Sequence, residues 1–191
     1  MFDGLILAGG QSQRMRTPQD PHADKGLMPW RGQPLVAWAC DYLHAQGAQT
    51  LWISANRHVD DYAAYGTVLR DDPAWCDWGP LAGVLAGLRR TRAPWLFVLP
   101  VDMLHVPADL GARLRAVARP DRPAYVCTPD GPQPLCLMVH CTLAAGLEAF
   151  LEAGGRKVQD WLQACGAASV DVTAAGALVN LNTPADWDRW Q

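Results

Sequence analysis

At 191 residues, half of them hydrophobic and 18% charged, the chain fits a single domain that buries roughly 70% of its unfolded surface and needs no disulfide or metal staple. Its formal net charge of −3 argues against a general nucleic-acid surface, which demands Lys and Arg in excess on one face. Six cysteines without a CxxC pair and five histidines without HExxH spacing argue against a zinc centre and fit reduced thiols. A cytoplasmic protein is expected, since the brief apolar run before Gly9 is neither a signal peptide nor a membrane span.

In chain order, residues 5–8 form a short apolar run with the length of a buried strand, and it breaks into Gly9-Gly10 and a polar loop. After a turn at residues 30–33, residues 34–45 read as an amphipathic helix with Pro34 in its first turn and Gly47 just past its end; Leu35, Trp38, Ala39, Tyr42 and Leu43 share one stripe. Strands are predicted at 50–54 and 68–70, with a short helix at 59–65 between them. The second strand runs into Asp71-Asp72-Pro73. Residues 75–80 read as loop and 81–90 as helix, and the very apolar stretch 94–101 reads as a strand ending at Asp102. Beyond it the pattern predicts a helix at 108–118, strands at 124–128 and 135–140, and helices at 142–153 and 157–165 separated by Gly154-Gly155. Edge strands are expected at 170–172 and 177–181, then a last helix capped by Thr183 with Pro184 at its first position. This alternation predicts a three-layer α/β domain with a mostly parallel sheet, whose ligands sit beyond the carboxyl ends of the strands.

Several residues with chemistry to offer fall at those ends. The paired glycines free the backbone so that successive N–H groups can converge on an anion, with Arg14 and Lys25 as local positive charge. Lys25 is one of only two lysines in the chain. The loop is neither a P-loop nor a GxGxxG fingerprint, and the chain has no GxSxG elbow. Asp102 reads either as a Mg²⁺ ligand, one carboxylate being enough when substrate phosphates and water complete the shell, or as a cap for the residues after it. Asp71 ends its strand in the same manner and, with Asp72-Pro73, reads as a turn signal. Trp30, Trp75 and Trp78 lie in loops where one could stack on a flat ring, although packing is the commoner use of such residues.

LAGGQSQRM at residues 7–15, DKG at 24–26, GPLAG at 79–83, the strand-end Asp102 and NLNTP at 180–184 together resemble, in family order, the signature of the MobA-like nucleotidyltransferases, the family of molybdenum cofactor guanylyltransferases. The resemblance spans essentially the whole chain. One difference is a longer loop after Met15, where Arg16-Thr17-Pro18 replace the usual glycine. The resemblance implies a GT-A-type, Rossmann-like αβα sandwich over residues 1–191 and transfer of GMP from GTP to molybdopterin, with release of pyrophosphate. It implies Lys25, Arg14 and Asp102 as catalytic residues, Mg²⁺ on Asp102, and GTP contacts from Leu7, Ala8, Gly9, Gly10, Lys25, Ser54, Asp71, Gly79, Pro80, Leu81 and Asp102. Ser54 stands where a well-characterised member of the family has asparagine. Arg156, Lys157, Asn180 and Asn182 resemble the molybdopterin contacts, although NLNTP also reads as an ordinary helix cap. Proteins that insert molybdenum or receive the cofactor are the partners this implies; nucleic acid and membrane are not. Two other readings stay open: a cytidylyl- or sugar-1-phosphate nucleotidyltransferase sharing the loop, and a non-catalytic carrier of GTP or cofactor.

Overall fold

The computed structural model of the protein describes residues 1–10, 24–76, 78–172, 178–181, 186, 187 and 189. The main sheet contains β1 (Phe2–Leu7), β4 (Leu51–Ser54), β5 (Thr67–Leu69), β6 (Trp95–Pro100), β8 (Ala124–Thr128), β9 (Gly131–His140) and β10 (Ala168–Asp171), in the order β10-β8-β9-β6-β1-β4-β5. Two-residue strands form two small ribbons: β2 (Pro29–Trp30) with β3 (Gln33–Pro34), and β7 (Met103–Leu104) with β11 (Val179–Asn180). The helices are α1 (Leu35–Ala45), α2 (Val59–Ala63), α3 (Pro80–Arg90), α4 (Leu110–Val117), α5 (Ala144–Glu152) and α6 (Val158–Ala164). Among the described residues no helix is long and apolar enough to cross a membrane.

Side chains alternate across the central strands, and this divides the core into two layers. Ile6, Ile53, Phe97 and Leu99 pack with Leu35 and Leu43 of α1 and Leu110 and Leu114 of α4. Leu5, Leu96 and Val98 pack with Leu81 and Leu85 of α3, Leu147 and Leu151 of α5, and Trp161 of α6. Both faces of β1 and β6 are therefore covered, which is why β6 and the second half of β1, from Leu5, read as continuous apolar runs.

β1 pairs in parallel with β4 and β6, β4 with β5, and β10 with β8, while β9 runs antiparallel to both β6 and β8. The sheet is mostly parallel, as expected. The exception follows from loop length: Pro129 and Asp130 alone join β8 to β9, and so short a link can only make a hairpin. Pro132 and Pro134 mask the first half of β9, which begins at Gly131 rather than residue 135, and the register shifts at Tyr125/Val126.

Other boundaries move for local reasons. Pro34 is the N-cap of α1, in extended conformation, rather than a residue of its first turn. The predicted helix at 142–153 opens as a 3-10 turn, Cys141–Leu143, in which the Thr142 N–H meets the His140 ring. The predicted edge strand at 177–181 does not extend the main sheet: Val179 and Asn180 pair antiparallel with Leu104 and Met103. The edge strand expected at 170–172 is β10, at 168–171. Thr183 and Pro184, assigned to the last helix cap, lie outside the described residues.

Candidate active site

Strand register fixes the site. Leu7 stands opposite both Ser54 and Pro100, and Ser54 opposite Leu69, so β1, β4, β5 and β6 end level with one another. Backbone bonds carry the pairing one residue further, from Ala8 N to Ser54 O (2.9 Å), Ala55 N to Leu69 O (3.0 Å) and Val101 N to Leu7 O (3.1 Å). The glycine turn, the Asn56-Arg57 segment, the Asp71 segment and Asp102 therefore leave the sheet side by side along one edge.

A cavity of about 190 Å³ opens there, lined by Leu7, Gly9, Gly10, Ser54, Asn56, Asp71, Gly79, Pro80 and Gly83. Gly79 takes φ 96°, a conformation that favours glycine, and delivers the chain into α3 with Pro80 at its first position. A methyl group on Gly83 would overlap the Ser54 hydroxyl and meet Leu7 Cδ2 at 3.2 Å, so its absence lets α3 close over the ends of β1 and β4. Ser54 is only 6% exposed and forms part of the cavity wall. The Leu81 side chain lies fully in the core, so the expected nucleotide contact there falls to its main chain, and Ala8 is buried and bonded through its backbone N–H.

Lys25 and Asp102 meet, Nζ to Oδ2, at 2.5 Å, with side-chain exposures of 12% and 21%. Lys25 opens a 3-10 turn, Lys25–Leu27, whose N-cap is Asp24. The buried Asp24 carboxylate accepts from Gly26 N (3.0 Å) and from the Tyr62 hydroxyl (2.5 Å). Tyr62 is fully buried, and burial, reinforced by Asp24, pushes its phenol far above the ordinary range; it therefore stays protonated and donates. In the sequence Asp24 stands out only as a motif member without a task. Its task here is to anchor the lysine turn to α2.

The sequence pattern gives no role to Asn56 or Arg57. Asn56 Nδ2 donates to Asp71 Oδ2 (2.7 Å) and Asn56 Oδ1 accepts from Asp71 N (2.9 Å), while Arg57 donates to the carbonyl of Gly10 (3.0 Å). The available signal was position: both follow the end of the strand that faces the glycine turn. The Arg156 guanidinium lies 4.2 Å from the centre of the Trp78 ring, beside Gly79, and exposed Lys157 is the N-cap of α6. β11, with Asn180, reaches the same edge at another point, where Leu181 N donates to Asp102 O (3.2 Å). Trp30 and Trp75 are buried packing residues. Arg14 and Asn182 lie outside the described residues. Among the described residues no three His, Cys, Asp or Glu side chains cluster as a metal cage, so a cation here would depend on Asp102 and on oxygens brought by a substrate.

A parallel sheet whose strands end level beside a cleft, with a lysine–carboxylate pair at the same strand ends, is the architecture of the nucleotidyltransferase class. Residues 4–168 match the model of the MobA-like NTP transferase domain, and the chain belongs to that family. It is 37% identical to the molybdenum cofactor guanylyltransferase of Shewanella frigidimarina (strain NCIMB 400) over 186 residues, covering 96% of this chain and 92% of that protein. It is likewise 37% identical to the enzyme of the same name from Methylibium petroleiphilum, over 94% of this chain and 90% of that one. The fold matches that of molybdopterin-guanine dinucleotide biosynthesis protein A from Archaeoglobus fulgidus with a TM-score of 0.75 at 20% identity, covering 99% and 96% of the two chains.

Proposed function

We propose that the protein is a molybdenum cofactor guanylyltransferase, transferring GMP from GTP to the terminal phosphate of molybdopterin. One oxygen of that phosphate attacks the α-phosphorus of GTP, a new P–O–P link forms, and the bond to pyrophosphate breaks. The observation that carries the reading is the level ending of β1, β4, β5 and β6, which brings the glycine turn, Asp71 and the Lys25–Asp102 pair to one edge.

Such a transfer asks the protein mainly for in-line placement and for compensation of phosphate charge. The amides of Gly9 and Gly10 cradle the phosphates, with Leu7 and Ala8 leading into the turn. Lys25 leaves Asp102 for the phosphates, and Arg14 adds a second positive charge as pyrophosphate departs. Asp102 holds the Mg²⁺ that family membership implies, and the ion, when bound, lowers the cost of gathering negative oxygens at phosphorus. Ser54, Asp71, Gly79 and Pro80 take the guanosine. Guanine presents N1–H and N2–H donors, and the Asp71 carboxylate accepts them. Arg156, Lys157, Asn180 and Asn182 take molybdopterin.

Purified protein incubated with Mg²⁺, molybdopterin and GTP, CTP, ATP or UTP in turn is expected to release pyrophosphate with GTP alone. Release with CTP instead, or tight GTP binding without any release, refutes the reading.

A further inference from the structure

We propose that Asn56 is the positioning residue that gives the cleft its guanine specificity, acting through Asp71; the inference rests on the guanine nucleotide reading above. Asn56 and Asp71 both line the cavity, and they are joined twice, Nδ2 to Oδ2 at 2.7 Å and Asp71 N to Oδ1 at 2.9 Å. The second bond determines the orientation of the amide. A backbone N–H can be met only by an acceptor, so the carbonyl end of Asn56 faces it and the NH₂ end must face the carboxylate.

Neither partner is carried on a loose loop. Each stands two residues beyond a strand end, Ser54 and Leu69, and those two strand ends are paired in register, with Ala55 N bonded to Leu69 O. With its amide fixed from behind, Asn56 holds the plane of the Asp71 carboxylate at one angle in the cleft. A carboxylate so held accepts two adjacent N–H donors side by side, which is the pattern of guanine N1–H and N2–H. Hypoxanthine offers only the first of these, and adenine presents an acceptor at N1. Without the amide, the Asp71 carboxylate loses the donor that sets its plane and the half-buried Asp71 N–H loses the acceptor bonded to it. Asn56 thus separates bases through the carboxylate it holds.

The test is equilibrium binding of GTP, ITP and ATP, each with Mg²⁺, to the wild-type protein and to Asn56→Ala and Asn56→Asp, measured by titration calorimetry. Asn56→Asp keeps the size and the acceptor for Asp71 N–H but replaces the donor, so it separates loop support from carboxylate positioning. Wild type is expected to prefer GTP to ITP by about 10- to 100-fold, the worth of one charge-assisted hydrogen bond. Both variants are expected to bind GTP at least about tenfold more weakly and ITP nearly unchanged, so that the preference shrinks to about threefold or less. A folded variant of either kind that keeps the wild-type GTP to ITP ratio overturns the role of Asn56 and leaves the guanine reading standing. A wild-type protein that binds GTP, ITP and ATP alike overturns the guanine reading itself, and this role with it.

Discussion

An ammonium group stands 2.5 Å from a half-buried carboxylate, and in the proposed reaction the triphosphate competes with Asp102 for Lys25. Lys25→Ala and Asp102→Ala are expected to cut pyrophosphate release by about 10²- to 10⁴-fold, the usual cost of removing a group aimed at transition-state charge. Circular dichroism should stay at the wild-type level, and wild-type turnover from either variant would refute the assignment. Tyr62 touches no substrate, yet its hydroxyl holds the Asp24 carboxylate that caps the lysine turn. Tyr62→Phe is expected to lower kcat more than it raises KM for GTP, and to cost about 1–3 kcal/mol in denaturant unfolding for the lost buried hydrogen bond. An unchanged kcat in a destabilised protein would reduce Tyr62 to a packing residue. Lys25 and Asp102 were legible in the sequence because each sits inside a contiguous motif. Tyr62 and Asn56 were not, because their partners lie 38 and 15 positions away and nothing local marks such pairings.

Among the elements, α3 packs closely against the strand ends of the site. Its Gly83 faces Ser54 so closely that turning the hydroxyl away would not suffice, because Ser54 Cβ itself stands 3.0 Å from an added methyl group. Gly83→Ala is expected to destabilise the protein by about 1–3 kcal/mol, as overpacked positions do, and to weaken GTP binding as α3 is pushed off the strand ends. Thermal unfolding and calorimetry read the two effects separately, and an unaltered GTP affinity would detach α3 from the cleft. The far end of the helix is held as well: Arg89 reaches Asp72 at 3.4 Å and Glu148 of α5, and lies over the Trp75 ring, so the segment after Asp71 is clamped to two helices. Helices and central strands were readable from their apolar periods. The direction of β9 was not, since alternation of elements predicts parallel pairing and only the short β8–β9 link decides otherwise. Nor was the pairing of β11, where two residues have too little pattern to name their partner.

Across the whole molecule, the six thiols are free and differ chiefly in exposure. Burial, with Asp41 second, pushes Cys40 up to about 11, and burial alone pushes Cys136 higher still, whereas Cys76 is exposed. Brief alkylation of the native protein is therefore expected to label Cys76 first and to reach Cys40 and Cys136 only after unfolding; equal labelling of all three in the native state, read by mass spectrometry, would contradict this burial. The ribbon of β7 and β11 has a consequence in time. The strand beside Asp102 and the N–H that meets its carbonyl come from residues 179–181, which are translated long after the glycine turn, Lys25 and Asp102 itself. A nascent chain paused before residue 178 already carries those three groups but lacks the strand that pairs with Met103 and Leu104, so competence for turnover is expected to arrive only when the ribosome has released that late ribbon strand.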